Sequence, residues 1–259
     1  MISIPVMQVT RDEGKSFVST SKGDQLKWRT ENQWAKVNKF GYEGLAEWAA
    51  YEIIKRSNIP PQFIVPYSRC LIREADGTEY RGCYSEDFLQ PDESLISLHR
   101  LLESYGISID AVLRNQSTRD AVLSIIEFLR TAIRLDTLEY FSMMLPLDAF
   151  LLNEDRHLNN IAFIHGPGGY RLCPYFDHGL SLLSDTTDYP LSMPIDVAMR
   201  RVKAKPFSKD FSKQARALET NLRFDRSSVL QFIEEHEEEL GRIAKVLKLQ
   251  MRKYEYLFV

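Results

Sequence analysis

Cysteine is scarce in this chain: Cys70, Cys83 and Cys173 are the three present in 259 residues, and no two are spaced as CxxC. That scarcity argues against a disulfide framework and against a cysteine-based zinc site. Each cysteine sits in an apolar or strand-like stretch and is read as a reduced structural thiol. Long hydrophobic runs are missing too, since none approaches the roughly 18 residues that a membrane-spanning helix needs. Met1-Ile2-Ser3-Ile4-Pro5 has no basic region leading into an apolar segment, so the expectation is a cytoplasmic chain unless it is exported by a route without a classical signal. Nor is there an excess of one charge: 33 Lys and Arg stand against 36 Asp and Glu. Neither nucleic acid nor a membrane surface is therefore an expected partner. Finally, no Gly-x-Gly-x-x-Gly occurs, so spacing alone identifies no phosphate-binding glycine loop.

What is present is an ordinary globular composition, 44% hydrophobic and 27% charged in 30.1 kDa. It is enough chain for one large domain or two packed lobes. The informative stretch is Leu147–Ile164. An apolar helical run ends in a polar loop, Asn153-Glu154-Asp155-Arg156-His157-Leu158-Asn159-Asn160, and a strand-like run follows. After a turn at Gly166-Pro167-Gly168-Gly169, a second strand-like run delivers Tyr175-Phe176-Asp177-His178-Gly179. Any one Asp or Asn here could be a cap or turn residue. Asp-x4-Asn, two short strands and then Asp-x-Gly is, however, the order found where one carboxylate orients a hydroxyl while an amide and a second carboxylate hold Mg²⁺ against phosphates. Phosphoryl transfer is the chemistry expected.

The first third of the chain reads as short strands broken by turns. Ser19-Thr20-Ser21-Lys22-Gly23 can present backbone N–H groups to phosphate or can be a plain hairpin loop; Ser21 and Gly23 are its candidate nucleotide contacts. Trp34-Ala35-Lys36-Val37 alternates as a strand and fixes Lys36 on one face, where phosphoryl-transfer sites use a lysine on the α- and β-phosphates. Residues 41–58 follow as an amphipathic helix ending near Pro60-Pro61. Glu43 and Glu47 share one of its faces; either can pair with Lys36, and Glu47, deeper in the helix, is preferred. Gln62–Arg73 and Thr78–Tyr84 form a hairpin about Ala75-Asp76-Gly77. Beyond it, Ser85–Pro91 lies where a hinge between lobes, or a simple connector, would run. Backbone groups from Glu86 to Phe88 can there meet an adenine edge.

From residue 94 the pattern turns helical: Leu95–Ser104, Ile107–Leu113, Ala121–Leu135 and Thr137–Leu152, with apolar residues three and four apart that read as core. Leu180–Pro194 is polar and turn-rich, either a mobile activation or substrate segment or a surface loop. The cluster Arg200, Arg201, Lys203, Lys205, Lys209, Lys213 and Arg216 is by default solvated surface, with docking of an acidic partner as the second reading. Ser227–Tyr256 is one or two amphipathic helices, acidic early and basic late as the helix dipole favours.

Together, Leu151–Asn160, Tyr175–Gly179, Trp34-Ala35-Lys36 and Gly41–Glu47 resemble the kinase region of the HipA family of bacterial serine/threonine kinases. The likeness is to short members without the separate N-terminal subdomain. It implies an α+β, two-lobed protein-kinase-like fold: a small β-rich N-lobe with one helix over 1–88, and a larger, mainly helical C-lobe over 89–259. It also implies ATP and Mg²⁺ as cofactors, with Asp155 as catalytic base, His157 on the γ-phosphate, Asn160 and Asp177 as metal ligands and Lys36 on the α- and β-phosphates. The implied activity is Ser/Thr phosphorylation of a protein substrate, including autophosphorylation near Ser19 and Ser21, with an antitoxin-type or regulatory partner. Two features depart from the pattern: the glycine loop does not match, and His178 stands where Asp-Phe-Gly has Phe. A phosphoinositide or small-molecule kinase, and a weakly active nucleotide-binding pseudokinase, are the alternatives.

Overall fold

In the computed structural model, residues 4–9, 16–20, 23–30, 32–114 and 116–259 are described, with backbone alone for 16–20 and 23–25. Ser21 lies outside the described residues. The strands run β1 (Val6–Val9), β2 (Ser16–Thr20), β3 (Gly23–Arg29) and β4 (Gln33–Val37) before helix α1 (Glu43–Ile54); β5 (Tyr67–Glu74) and β6 (Glu79–Glu86) then complete a six-stranded sheet ordered β1-β5-β6-β4-β3-β2. β5 and β6 are the hairpin expected around Asp76-Gly77, in register from Tyr67↔Ser85 to Arg73↔Glu79. Alternation sorts the faces of this sheet. Trp28, Ala35, Val37, Cys70 and Ile72 are buried together on one, leaving Lys27, Lys36, Cys83 and Ser85 for the other.

Helix α1 packs on that second face, and two glycines set the spacing of α1, β6 and β4. A Cβ on Gly44 would lie 2.6 Å from the Gly82 carbonyl carbon, and one on Gly82 would lie 2.0 Å from the Lys36 carbonyl oxygen. A side chain at Gly44 would push α1 off β6 and separate the groups the two elements bring together, whereas one at Gly82 would clash with the β4 backbone at Lys36.

The rest of the chain is mainly helical: β7 (Ser94–Ser97), α2 (Leu98–Ser104), α3 (Ile109–Leu113), α4 (Thr118–Ala132), α5 (Leu138–Leu151), β8 (Ala162–Gly166), β9 (Gly169–Leu172), α6 (Ile195–Arg201), α7 (Phe211–Ala215), α8 (Arg226–Glu235), α9 (Glu237–Leu240) and α10 (Arg242–Lys253). α5 is buried from Tyr140 to Leu151, as a helix apolar on every side must be. None of the helices among the described residues is long and apolar enough to cross a membrane.

Three sequence expectations shift here. The helix expected from Leu95 begins at Leu98, because Ser94–Ser97 pairs with β8 from Ser94↔His165 to Ser97↔Ala162. A four-residue apolar run cannot be told from a helical turn by periodicity alone. Residues 181–185, the first part of the polar segment, are not a surface loop: Leu182, Ser184 and Asp185 are buried, Leu182 N–H donates to Leu151 O at 2.8 Å and Thr186 N–H to Phe40 O at 3.0 Å, while most of 187–194 is exposed. Their polar side chains looked like loop chemistry, yet their backbone is satisfied by other segments. The C-terminal region forms three helices, broken at His236 and Gly241.

The main core does not respect the division between sheet and helices. Ala46, Ala49, Ala50 and Ile53 of α1 belong to the same buried cluster as α4, α5 and α10. Trp48 also stacks edge-on to Phe232 at 5.4 Å, and Arg69 pairs with Glu239. α1 is thus held from behind by the C-terminal helices, which limits its freedom to move with the sheet.

Candidate active site

Lys36, on β4, is where the two halves meet. Its ammonium lies 2.8 Å from Glu47 Oε1 and 2.9 Å from Asp177 Oδ1, and it sits over the Tyr67 ring. Glu47 also accepts the His178 N–H at 2.9 Å through its other oxygen, so a single carboxylate on α1 grips both the strand lysine and the Asp-x-Gly loop. The choice between the two glutamates thus falls to Glu47. Glu43 instead accepts the N–H groups of Lys39, Phe40 and Gly41 at 2.9, 2.5 and 3.0 Å, bracing the turn that leads into α1.

Burial opposes the charge on both partners, but it is outweighed. The Lys36 amine is raised well above its usual range by the Asp177 and Glu47 carboxylates, and the Asp177 carboxyl is held well below the carboxylate range by Lys36 and Lys27. Asp177 is therefore ionised in the folded chain. Its backbone has φ 62°, the left-handed region that Asp tolerates better than most residues, and such outliers gather at functional sites.

Lys27 was not singled out from the sequence. It lies directly opposite Lys36 in the β3–β4 ladder, is only 7% exposed, and its ammonium makes no hydrogen bond or ion pair among the described residues. Burial pushes its amine down. The turn-like sequence Arg29-Thr30-Glu31-Asn32 was the available signal, since a hairpin centred there places 27 across from 36 on one face.

On the helical side, α5 ends at Leu152 in a left-handed cap, and the loop beyond it is built around two buried groups. Asp148 on α5 takes both Arg156 Nε and Nη2 at 2.9 and 3.0 Å, and Asn153 Nδ2 at 2.9 Å. Arg156 Nη1 donates in turn to Asn160 O at 2.7 Å and Phe176 O at 2.9 Å. One guanidinium thereby fixes the Asp155 loop and the Asp177 loop to a single anchor. Asp155 N–H donates to Asn153 Oδ1 at 3.1 Å, and Asn160 Nδ2 donates to Asp155 O at 2.9 Å.

The cleft between these halves has a volume of about 320 Å³. Of the expected site residues, Lys36, Glu86, Phe88, His157, Asn160 and Asp177 line it, together with Lys27, Trp34, Ser85 and Phe176. Asp155 lies just behind this lining, its Oδ2 3.5 Å from Asn160 Nδ2, and Glu47 acts behind Lys36. Gly23 stands at the start of β3. Within the linker, Asp87 N–H is taken by Asn32 O at 2.9 Å, while Phe88 N–H makes no hydrogen bond among the described residues.

Asn160 and Asp177 supply hard oxygen donors of the kind Mg²⁺ takes. The Asn160 amide nitrogen is spent on Asp155, leaving its carbonyl oxygen for a cation, and Asp177 uses only Oδ1 on Lys36. No cluster of three His, Cys, Asp or Glu side chains is placed to hold a metal among the described residues. Two protein oxygens completed by phosphates and water is the usual way such sites bind Mg²⁺.

His178, buried at the foot of this site, faces Arg156 Nη2 at 3.1 Å. Arginine can only donate, so Nε2 accepts and the ring is neutral. Burial first, and then the Arg156 charge, lower its pKa well below 6.5. The unfolded chain takes up this proton below about pH 6.5 and the folded chain does not. Stability linked to His178 is complete above that pH and falls below it, towards about 1.4 kcal/mol per pH unit. Urea unfolding between pH 7.5 and 5.5 should show the decline, and His178→Asn should remove that component; parallel curves for the two proteins would contradict it.

No protein-family model matches the chain, and no curated protein matches it in sequence. Among solved structures, the Helicobacter pylori proinflammatory kinase CtkA aligns over 98% of this chain and 95% of its own, at 14% identity and a TM-score of 0.56. Shewanella oneidensis MR-1 HipA, solved with HipB and operator DNA, aligns over 87% of this chain and 52% of its own, at 14% identity and a TM-score of 0.39. The kinase domain of maize SIRK1 bound to AMP-PNP aligns over 93% and 86%, at 10% identity and 0.32. Of these three, only CtkA overlies the chain closely enough to speak for its fold. This chain has the two-lobed, protein-kinase-like fold of CtkA, a β-rich lobe with one helix set on a mainly helical lobe, as its resemblance to the HipA-like kinases implies.

Proposed function

We propose that this chain is an ATP- and Mg²⁺-dependent protein kinase that transfers the γ-phosphoryl group to Ser or Thr hydroxyls. The observation carrying this reading is the Lys36 ammonium shared between Glu47 and Asp177 at the wall of a cleft also lined by Asn160 and His157. An ion pair built for stability alone has no need of an open cleft beside it. In this reading the lobes are residues 1–88 and 89–259, and a partner that covers the cleft, of the antitoxin type, would regulate it.

Lys36 and Lys27 take the nucleotide phosphates, and Phe88 N–H, with Glu86, takes the adenine edge against Trp34 and Phe176. Mg²⁺ bound to Asn160 and Asp177 would neutralise charge on the phosphate oxygens as it builds. Asp155 orients the acceptor hydroxyl and receives its proton, and His157, at the cleft wall, meets the γ-phosphate. Catalysis of this kind is placement and electrostatics, which the Arg156 anchor and the Glu47 grip provide.

Thermal shift and isothermal titration with ATP and Mg²⁺, followed by γ-labelled ATP with and without added protein, test the reading. Asp177→Ala should abolish the Mg²⁺-dependent part of nucleotide affinity, about tenfold or more, as loss of one of two protein ligands predicts. Unchanged Mg²⁺-dependent binding would remove Asp177 from the metal site. Binding without label transfer would favour a pseudokinase, and transfer only to lipid or small-molecule acceptors would favour the other alternative.

A further inference from the structure

A second cation stands beside the proposed base. Lys205, in the segment between α6 and α7, places its ammonium 3.5 Å from Asp155 Oδ1. Asn160 Nδ2 and His157 Nε2 face the other oxygen, Oδ2, at 3.5 and 3.7 Å. The two oxygens therefore have different neighbours. The Lys205 backbone is held in place by Gln214, a buried side chain of α7, whose Nε2 donates to Lys205 O at 2.8 Å. Gln214 Oε1 accepts from Phe207 N–H at 3.1 Å and Ser208 N–H at 3.3 Å, and the Phe207 ring packs on Phe141 of α5. The stem is fixed while the side chain stays 39% exposed. A pair that served stability alone would be worth little with one partner so open to water.

We propose that Lys205 is a further catalytic residue, whose ammonium contacts the phosphoryl group as it passes to an acceptor hydroxyl held on Asp155 Oδ1. This rests on the kinase reading above. In the step, the bond from the γ-phosphorus to its bridging oxygen breaks and ADP keeps the electron pair. The bond to the acceptor oxygen forms, and the hydroxyl proton goes to Asp155. A hydroxyl about 2.7 Å from Oδ1 sits next to the ammonium, so the oxygens of the arriving group fall within its reach. Charge spreads over those oxygens in the transition state, where a fixed cation contributes most. Lys27 and Lys36 serve the nucleotide side of the cleft. Lys205 is not part of the cleft lining, so it affects transfer and not ATP affinity.

Lys205→Met and Lys205→Arg in the full chain, beside wild type, test this. The Met variant should lower kcat about 100-fold with ATP affinity and Tm unchanged, and the Arg variant should recover part of the loss. Wild-type kcat in the Met variant overturns the proposal, and so does a loss matched by weaker ATP binding or a lower Tm. A wild-type chain that transfers no label overturns the kinase reading itself and this inference with it, an outcome distinct from activity that ignores Lys205.

Discussion

Asp155→Asn should reduce phosphoryl transfer by about 10²- to 10⁴-fold, the usual weight of a positioned general base, while ATP affinity and Tm stay near wild type. The separation follows from how Asp155 is held. Its backbone is tied into the loop, N–H donating to Asn153 Oδ1 at 3.1 Å and the carbonyl oxygen accepting from Asn160 Nδ2 at 2.9 Å. Its carboxylate faces Asn160, His157 and Lys205 at 3.5 to 3.7 Å. An amide of the same shape keeps the loop and loses the proton acceptor. Single-turnover transfer from γ-labelled ATP, with ATP titration and thermal melts on the same samples, reads all three quantities. Transfer at the wild-type rate would remove Asp155 from its role.

Arg156→Met should destabilise the chain by about 3–5 kcal/mol, because it leaves the Asp148 carboxylate buried without its charge partner. Asp148 is fully buried and Arg156 is 1% exposed, and burial makes water a poor substitute for the lost guanidinium. The bonds to Asn160 O and Phe176 O go with it, so both loops of the cleft lose their common anchor. Activity should then fall even at temperatures where the variant is folded. Urea unfolding gives the stability change. Asp148→Asn with Arg156→Met should be less destabilised than Arg156→Met alone, since the stranded charge is gone; additive losses would show that the pair is not what holds the loop.

Much of this architecture was legible in the chain. The change from alternating strands to helical periodicity near residue 90, the Asp76-Gly77 hairpin and the order Asp155, Asn160, Asp177 all depend on local chemistry, and local chemistry is what spacing reports. Lys36 could be placed on a strand face by alternation alone. Lys27 was missed, although the β3–β4 register implied it. Arg156 was missed for a different reason: between Asp155 and His157 it reads as part of a polar loop, and its burial depends on an aspartate in the preceding helix, α5. Residues 181–185 misled in the same way, because which backbone groups a polar segment satisfies is a tertiary matter.

The sequence by itself determined the two kinds of lobe, the thiols left unpaired and the residue types available for phosphoryl transfer, because propensity, turn chemistry and side-chain pKa are properties of short stretches. Only the tertiary structure decided that Glu47 and not Glu43 holds Lys36, that Asp177 completes that pair across the cleft, and that Lys205 comes to stand beside Asp155. Those are contacts between residues distant along the chain. They are settled by how closely α1 can approach β6 at Gly44 and Gly82 and by how the α7 loop packs on α5, distances that no local pattern encodes.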